Sequence, residues 1–508
     1  MRVFIMVAGV FTGAHVWQET AERLVAAGGE AHAVPLTGVD PARPAAPDGV
    51  SLETHIDDVI AAIDAVDVTG GREIVLVGHD YGIHPVLGAA DRRAERIARV
   101  VYLDCGMPQN GVPALACVPD QTLRAQLAER ALRGERGGVL APPARDAEWE
   151  RWGSTAGLGE AGMKRLTSSA TPQPLDTLLQ PLRLSGTVAA VPVTGVLCTE
   201  SGAGIDSVQR LVDFGDPALA VLTGPRVTFF ELPTGHWPML SCPAALADVL
   251  LRAAAGEGHR LRAAGDDAPV PAHLRPFPWD LPEPPRDRQG PVDLYVPEGE
   301  GPRPAVVFVH GGPVPAGARP RPREWPTLVG YARLAATEGL VGATLEHRLH
   351  DIADYERAAA DIAAGVERVR ADPRVDGDRI ALWFFSGGGL LATDWLAEPP
   401  AWLRCLAAAY PVLAPLPAWG MAGSRFHPAR AVAQAGDLPV VLLRAGLETP
   451  EIAATVEAFV TAAGSGAARL ELIDVPHGHH GFETVDPPEE TRPAMRRAMR
   501  TVVTHLTG

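Results

Sequence analysis

Short apolar runs alternate with amphipathic helical stretches along this chain, and they do so twice, before residue 255 and again after residue 290. In the first half Arg2–Val7, Ala31–Val34, Glu73–Val77, Val100–Leu103, Val191–Leu197 and Arg226–Leu232 read as strands. Trp17–Ala26 and His55–Ala65 carry their apolar residues on one face and read as helices. Strands alternating with helices predict an α/β fold, a mostly parallel sheet with helices on both faces. After residue 290 the same rhythm returns, with strands expected at Ala305–Val309, Val341–Thr344, Ile380–Phe384, Leu406–Tyr410, Val440–Leu443 and Leu470–Ile473. The halves agree in plan and not in residues, so this is no short-period repeat.

A chain of 508 residues is too long for one ordinary core, since domains run to roughly 150 residues. The expected organisation is one α/β domain over residues 1–255, a linker or wrapping arm over 256–290, and a second α/β domain over 291–508. Residues 106–190 break the rhythm of the first domain. They are polar, helical and punctuated by proline, as expected of a helical cap inserted over the sheet. The 256–290 stretch is rich in Pro, Arg and Asp and has no periodicity.

The net charge of −16 argues against a nucleic-acid partner, because phosphates demand a basic face. Basic residues are dispersed, and no apolar run reaches the ~20 residues that span a membrane. The N-terminal MRVFIMVAGVFTG runs into a loop and helix without a cleavage site, so it reads as a buried strand rather than a signal peptide. Five scattered cysteines in no metal or redox spacing suit reduced thiols in a cytosolic protein. The expected partner is a small-molecule substrate, with no nucleic acid, no membrane and no cofactor; monomer and homodimer both stay open. Gly387, Gly388 and Gly389 follow a strand, but the Ser before them fits an elbow better than a phosphate loop.

Four features of the second half fall in one order. His310-Gly311-Gly312-Pro313 ends a strand in a Gly-rich turn whose N–H groups suit an oxyanion hole. Trp383-Phe384-Phe385-Ser386-Gly387-Gly388-Gly389 runs from a strand through Ser into small residues. Arg444-Ala445-Gly446-Leu447-Glu448 ends a strand in a carboxylate, and Pro476-His477-Gly478-His479-His480-Gly481-Phe482 follows another. The order Ser, acid, His on successive strand ends lines up a nucleophile, an orienting carboxylate and a base. With Glu346-His347-Arg348-Leu349, these motifs resemble the dienelactone-hydrolase-like and acyl-esterase branch of the α/β-hydrolases. The resemblance implies Ser386 as nucleophile, His480 as base and Glu448 as acid, with Glu451 an alternative. Phe384, two residues before the Ser, is expected to crowd the turn. Adjacent His477, His479 and His480 also admit a metal reading, but one loop rarely closes a tetrahedral site alone.

The first half carries Leu36-Thr37-Gly38, Thr54-His55-Ile56-Asp57-Asp58, Gly78-His79-Asp80-Tyr81-Gly82, Tyr102-Leu103-Asp104 and Thr234-Gly235-His236-Trp237-Pro238. These motifs resemble a bacterial and plant family of esterases and hydroxynitrile lyases. That family has Gly-His-Ser-Tyr-Gly at the elbow; here Asp80 takes the nucleophile position. A carboxylate attacking an acyl carbon gives an anhydride, a poor route for ester cleavage. At sp³ carbon it displaces a halide or opens an epoxide, and a His then activates water against the alkyl-enzyme ester. The elbow is thus similar to those of epoxide hydrolases and haloalkane dehalogenases.

His236 is the expected base, oriented by Asp104 or Glu200. The cap contains no Tyr to protonate an epoxide oxygen, but it offers Trp149 and Trp152 as halide-holding indoles. Val10 and Tyr81 flank the expected oxyanion and substrate positions. Ala8 stands where the family carries a His that helps fix the oxyanion loop. The whole chain therefore reads as a bifunctional hydrolase of a small apolar metabolite, fused for consecutive steps, with secondary metabolism one setting. Two alternatives stand beside it: a lyase or cyclase using Asp80 and His236 without a covalent intermediate, and an inert module serving as an interaction scaffold.

Overall fold

The computed structural model describes residues 1–508 except 47, 68–70, 135–137, 264–269, 417–418, 422 and 467. The chain divides into two compact units, Met1–Gln209 with Ala220–Ala263, and Arg210–Leu219 with Ala264–Gly508.

In the first unit the strands are β1 (Arg2–Val7), β2 (Glu30–Ala33), β3 (Glu73–His79), β4 (Ile97–Leu103), the cap pair β5 (Val139–Leu140) and β6 (Gln173–Pro174), then β7 (Val193–Cys198) and β8 (Val227–Leu232). The main sheet has the order β2-β1-β3-β4-β7-β8, and every pairing in it is parallel. Residues 3–7 of β1 and Ile74–Val77 of β3 are buried, as befits strands covered on both faces. Helices Leu52–Ala65, Ile83–Arg92 and Pro243–Ala254 supply that cover. Between β4 and β7 lie the cap helices Gln121–Leu132 and Gly159–Ser168.

The second unit has β9 (Arg286–Gln289), β10 (Val292–Tyr295), β11 (Arg303–Val309), β12 (Val341–Leu345), β13 (Val375–Phe385), β14 (Leu403–Ala409), β15 (Pro439–Ala445) and β16 (Arg469–Val475). They form one sheet in the order β16-β15-β14-β13-β11-β12-β10-β9. Only β10 runs against its neighbours, β9 and β12. Side chains alternate across the sheet. Val307, Val309, Leu382 and Phe384 enter the core on one face, and Val306, Phe308, Trp383 and Phe385 the core on the other.

The expected linker ended too late and the first domain too early. Strand β9 lies inside residues 256–290, reads RDRQ, and has no apolar pattern to reveal it. What holds it is charge: the Arg288 guanidinium grips both oxygens of the fully buried Asp293 on β10, at 2.8 Å each. Phe277, Trp279 and Leu281 pack on the second unit's own core, so this part of the stretch is an arm against its own unit rather than a free linker. Residues 264–269 of the expected linker lie outside the described residues. Arg210–Leu219, expected in the first domain, belongs to the second unit, where Phe214 stacks on Trp325.

Candidate active sites

In both units the residue expected as nucleophile sits at a sharp turn at the end of a strand in the middle of the sheet. Asp80 follows β3 with φ 48°, and Ser386 follows β13 with φ 51°. Left-handed backbone at a residue with a Cβ is strained, and such strain is tolerated where the surrounding structure enforces it. The enforcement comes from glycines. A Cβ on Gly82 would lie 2.6 Å from the carbonyl oxygens of Val7 and Ala8, and one on Gly388 2.5 Å from that of His310. Gly387 and Gly389 have the same need: a Cβ there would lie 2.1 Å from the Gly312 carbonyl oxygen and 2.6 Å from that of Val412. The run of three glycines is therefore a packing demand: the chain leaving Ser386 slots between the oxyanion loop and the segment after β14. Gly9 and Gly311 lie against the two candidate nucleophiles, where a Cβ would sit 2.7 Å from Asp80 Oδ2 and 2.8 Å from Ser386 Cβ.

Phe384 does not crowd the second elbow. Its side chain is fully buried on the core face shared with Leu382, Leu390 and Leu391. The chain leaves Ser386 as a 3-10 helix over Ser386–Ala392 before the α-helix Thr393–Ala397 begins.

In the second unit Ser386 Oγ lies 2.7 Å from His480 Nε2. His480 Nδ1 in turn lies 2.5 Å from Glu448 Oε2. The backbone N–H of Thr449 donates to the other carboxylate oxygen, Glu448 Oε1, at 2.9 Å. Glu451 is exposed at the start of helix Pro450–Gly464 and does not replace Glu448. Gly311 and Gly312 form the turn beside Ser386, and the Tyr355 hydroxyl donates to the Gly387 carbonyl at 2.9 Å. His477 is exposed, and His479 pairs with Asp486 at 2.7 Å. Among the described residues no group of three or more His, Cys, Asp or Glu is arranged to hold a metal ion.

In the first unit His236 Nδ1 donates to Asp104 Oδ2 at 2.7 Å. Asp104 also receives the Ser201 hydroxyl at 2.8 Å and the Cys198 N–H at 3.0 Å. Glu200 is exposed, its own N–H bonded to the Thr234 carbonyl, and it takes no part. Burial alone would push the His236 pKa down, but the hydrogen bond and the charges of Asp104 and Asp80 outweigh it and raise it. Burial likewise works to raise Asp104, and the bonds from His236, Ser201 and Cys198 overcome it and lower its pKa.

Among the described residues His236 Nε2 has no hydrogen-bond partner, and it stands 4.0 Å from Asp80 Oδ1. The Val10 N–H donates to Asp80 Oδ2 at 3.0 Å. Val10 is thus in the expected oxyanion position, but its donor holds a carboxylate oxygen.

Tyr81 differs from expectation. Its hydroxyl donates to His55 Nδ1 at 2.7 Å, and His55 Nε2 donates to the Thr37 carbonyl at 2.8 Å. The phenol is 1% exposed and serves the core, not a substrate. Trp149 and Trp152 do reach the site's surroundings. Both lie edge-on to Phe11 of the oxyanion loop, and Trp149 also to Trp237. The Trp149 indole N–H is buried and has no partner among the described residues. From the cap, Gly153 presses on the His236 ring, where a Cβ would come within 2.4 Å. The Ser154 carbonyl accepts the His236 N–H at 2.8 Å.

Two contributors were not read from the sequence. Thr12 does for its loop what Ala8 cannot: its hydroxyl donates to the Gly9 carbonyl at 3.0 Å, whereas in the second unit His310 Nδ1 bonds the Gly311 carbonyl. His79 Nε2 donates to the His236 carbonyl at 2.7 Å, and burial, then His236, lowers its pKa to about 4. Only the elbow motif itself, with a His before the nucleophile, signalled the second.

The two units differ in where the acid sits. Asp104 follows β4, whereas Glu448 follows β15, the strand that corresponds to β7.

Residues 4–249 match the alpha/beta hydrolase family. Across 264 residues this stretch of hydrolase fold is 29% identical to the carbendazim hydrolyzing esterase of Nocardioides sp. (strain SG-4G), covering 49% of this chain and 98% of that protein. Esterase PIR7B of Oryza sativa subsp. japonica is 34% identical over 106 residues, and the match spans 21% of this chain and 39% of the rice protein. Among solved structures, an extracellular alpha/beta-hydrolase from a Paenibacillus species aligns with TM-score 0.39 and 19% identity, over 50% of this chain and 99% of that one. Family and esterase relatives together support hydrolase activity of this type. Among the described residues no helix is long and apolar enough to cross a membrane.

Proposed function

We propose that the chain is a tandem hydrolase whose second unit cleaves a carboxylic ester or lactone through Ser386. The observation that carries this reading is the unbroken relay Ser386 Oγ–His480–Glu448, at 2.7 and 2.5 Å, on an elbow with φ 51°. His480 takes the Ser386 proton as Oγ adds to the acyl carbon, and returns it to the leaving alkoxide; water then repeats the sequence on the acyl-enzyme. Glu448 holds the imidazole in the tautomer that presents Nε2 to Ser386.

In the first unit Asp80 acts on an electrophilic carbon. Its Oδ2 is held by the Val10 N–H, and an unpartnered His236 Nε2 lies 4.0 Å from Oδ1. A carboxylate oxygen would form a bond to an sp³ carbon as the halide or epoxide oxygen leaves. His236 then takes a proton from water, which adds to the Asp80 carboxyl carbon and frees the alcohol. The closure of the cap on His236, which is 6% exposed, favours the rival reading of an inert unit. The lyase or cyclase reading uses the same pair without the covalent ester.

The test compares wild type, Asp80→Ala and Ser386→Ala on an activated short-chain ester, an epoxide and a haloalkane panel. Ester cleavage is expected to fall by roughly 10⁴-fold or more in Ser386→Ala and to survive Asp80→Ala. Ester cleavage indifferent to Ser386 would overturn the reading of the second unit. Turnover of no epoxide or halide, with no alkylation of Asp80 by a reactive probe, would leave the first unit inert.

A further inference from the structure

In the second unit the loop after β11, residues 310–314, is tied to the loop after β12, residues 346–350. His347 Nε2 donates to the His310 carbonyl at 3.0 Å, and the Val314 N–H donates to the Leu349 carbonyl at 2.9 Å. His350 Nδ1 donates to the Val314 carbonyl at 2.9 Å. The His310 and His347 rings stack, with centroids 3.6 Å apart and planes 7° from parallel. Both residues are buried. His310 Nδ1 donates to the Gly311 carbonyl at 2.5 Å. Its Nε2 is then an acceptor, and the His347 N–H lies 3.5 Å from it.

These bonds decide which way two peptide units face. A trans peptide is planar, and its C=O and N–H point in opposite directions. The His310 carbonyl and the Gly311 N–H belong to one trans unit, and the Gly311 carbonyl and the Gly312 N–H to the next. Holding each carbonyl therefore aims the N–H on its far side. Glycine, with no Cβ, resists rotation of such a unit least, so a donor to each carbonyl keeps this turn from flipping. Gly311 lies against Ser386, where a Cβ would come 3.3 Å from Oγ. Gly311 and Gly312 are also the residues whose N–H groups suit an oxyanion hole.

We propose that His347 is a positioning residue of the Ser386 site. Its Nε2–H anchors the His310 carbonyl and so fixes the Gly311 N–H toward the oxyanion, while the His310 ring does the same for Gly312. The proposal rests on the reading of Ser386, His480 and Glu448 as an ester-cleaving relay. Stacking alone does not account for the pair. His347 Nδ1 is buried and has no partner among the described residues, which is less favourable than an apolar ring of similar size. What the histidine has over such a ring is the Nε2 donor. An oxyanion draws on the anchored N–H groups only as charge develops on it, so the effect belongs to kcat rather than to KM.

The experiment compares wild type, His347→Phe, His347→Asn and His347→Gln on an activated short-chain ester. It pairs this with inhibition by an alkylboronic acid, whose tetrahedral adduct on Ser386 carries the negative charge of the intermediate. Phenylalanine keeps a ring against His310 and has no donor. Asparagine has a donor too short to reach the carbonyl, and glutamine places its amide nitrogen where Nε2 stood. His347→Phe and His347→Asn are expected to lose roughly 10–10²-fold in kcat, with KM little changed and boronate inhibition weakened by a similar factor. His347→Gln should recover most of both losses. Full kcat and full boronate inhibition in His347→Phe would overturn the proposal. Equal losses in glutamine and asparagine would overturn it too, by making the role one of packing. If His347→Phe does not fold, the glutamine and asparagine variants decide alone. Ester cleavage that survives Ser386→Ala overturns the ester-cleaving reading and the proposal with it, whereas Ser386-dependent cleavage indifferent to position 347 overturns the proposal alone.

Discussion

Single residues decide which chemistry each elbow supports. Asp80 and Ser386 share backbone geometry, and their glycine surroundings correspond, so the difference between the sites lies in the nucleophile and in what orients the base. Asp104, not Glu200, bonds His236. Asp104→Asn is therefore expected to lower any turnover that depends on Asp80 by roughly 10³–10⁴-fold, since an amide no longer enforces the tautomer that leaves Nε2 free. Glu200→Gln should leave that turnover within about twofold, a surface change with no partner to lose. Kinetics of the two variants on the substrate the first unit accepts check this. Equal losses would show that Asp104 does not orient the base. The choice between these two carboxylates was open in the sequence because both follow strands. It is the 2.7 Å hydrogen bond from His236 Nδ1 to Asp104 that distinguishes them.

Among elements, the sites depend on loops that meet through glycine. Gly446 follows β15, two residues before Glu448, and a Cβ there would come within 2.2 Å of the Pro476 carbonyl oxygen, on the loop leading to His480. Neither backbone gives way cheaply. Gly446→Ala should part the acid loop from the histidine loop, lowering kcat for ester cleavage by about 10-fold or more while costing roughly 1–3 kcal/mol in stability. Activity measured at a temperature well below the unfolding midpoint separates the two effects. Wild-type kcat with a reduced midpoint would mean that the relay tolerates the shift. Strands β1 and β8 were legible nearly to the residue, because buried parallel strands are continuous apolar runs. β9 was not, because a polar edge strand held by the Arg288–Asp293 pair has neither apolar run nor alternation.

At the scale of the whole molecule, buried histidines couple stability to pH. His79 and His84 in the first unit and His347 in the second all have pKa values lowered to about 4, with burial the largest cause. The unfolded chain takes up these protons near pH 6.5 and the folded chain only near pH 4, so stability is lost as pH falls between the two. At pH 5 each histidine should cost about 2 kcal/mol relative to neutral pH. His236 runs the other way, its raised pKa giving stability that fades as pH rises through it. Thermal unfolding at pH 7 and pH 5 tests the balance. A midpoint that falls distinctly in acid is expected, and one that holds would show that these rings reach water before unfolding. His84→Phe, which removes one of these buried rings, should reduce that acid sensitivity.

What the sequence determined alone is local and periodic: two α/β sheets, their strand-end motifs, and the order in which the candidate nucleophile, acid and base appear. Those follow from apolar period and from the small residues a tight elbow requires, and both are written in consecutive positions. Tertiary structure decided everything that depends on meeting across distance. It selected Asp104 over Glu200, turned the Tyr81 phenol to His55, and set Thr12 in the role Ala8 had lost. It also housed Phe384 in the core and buried Glu483 against the Tyr331 hydroxyl. None of these has a period or a motif, because each is a contact whose geometry exists only once the strands are in register and the loops at their ends have packed against one another.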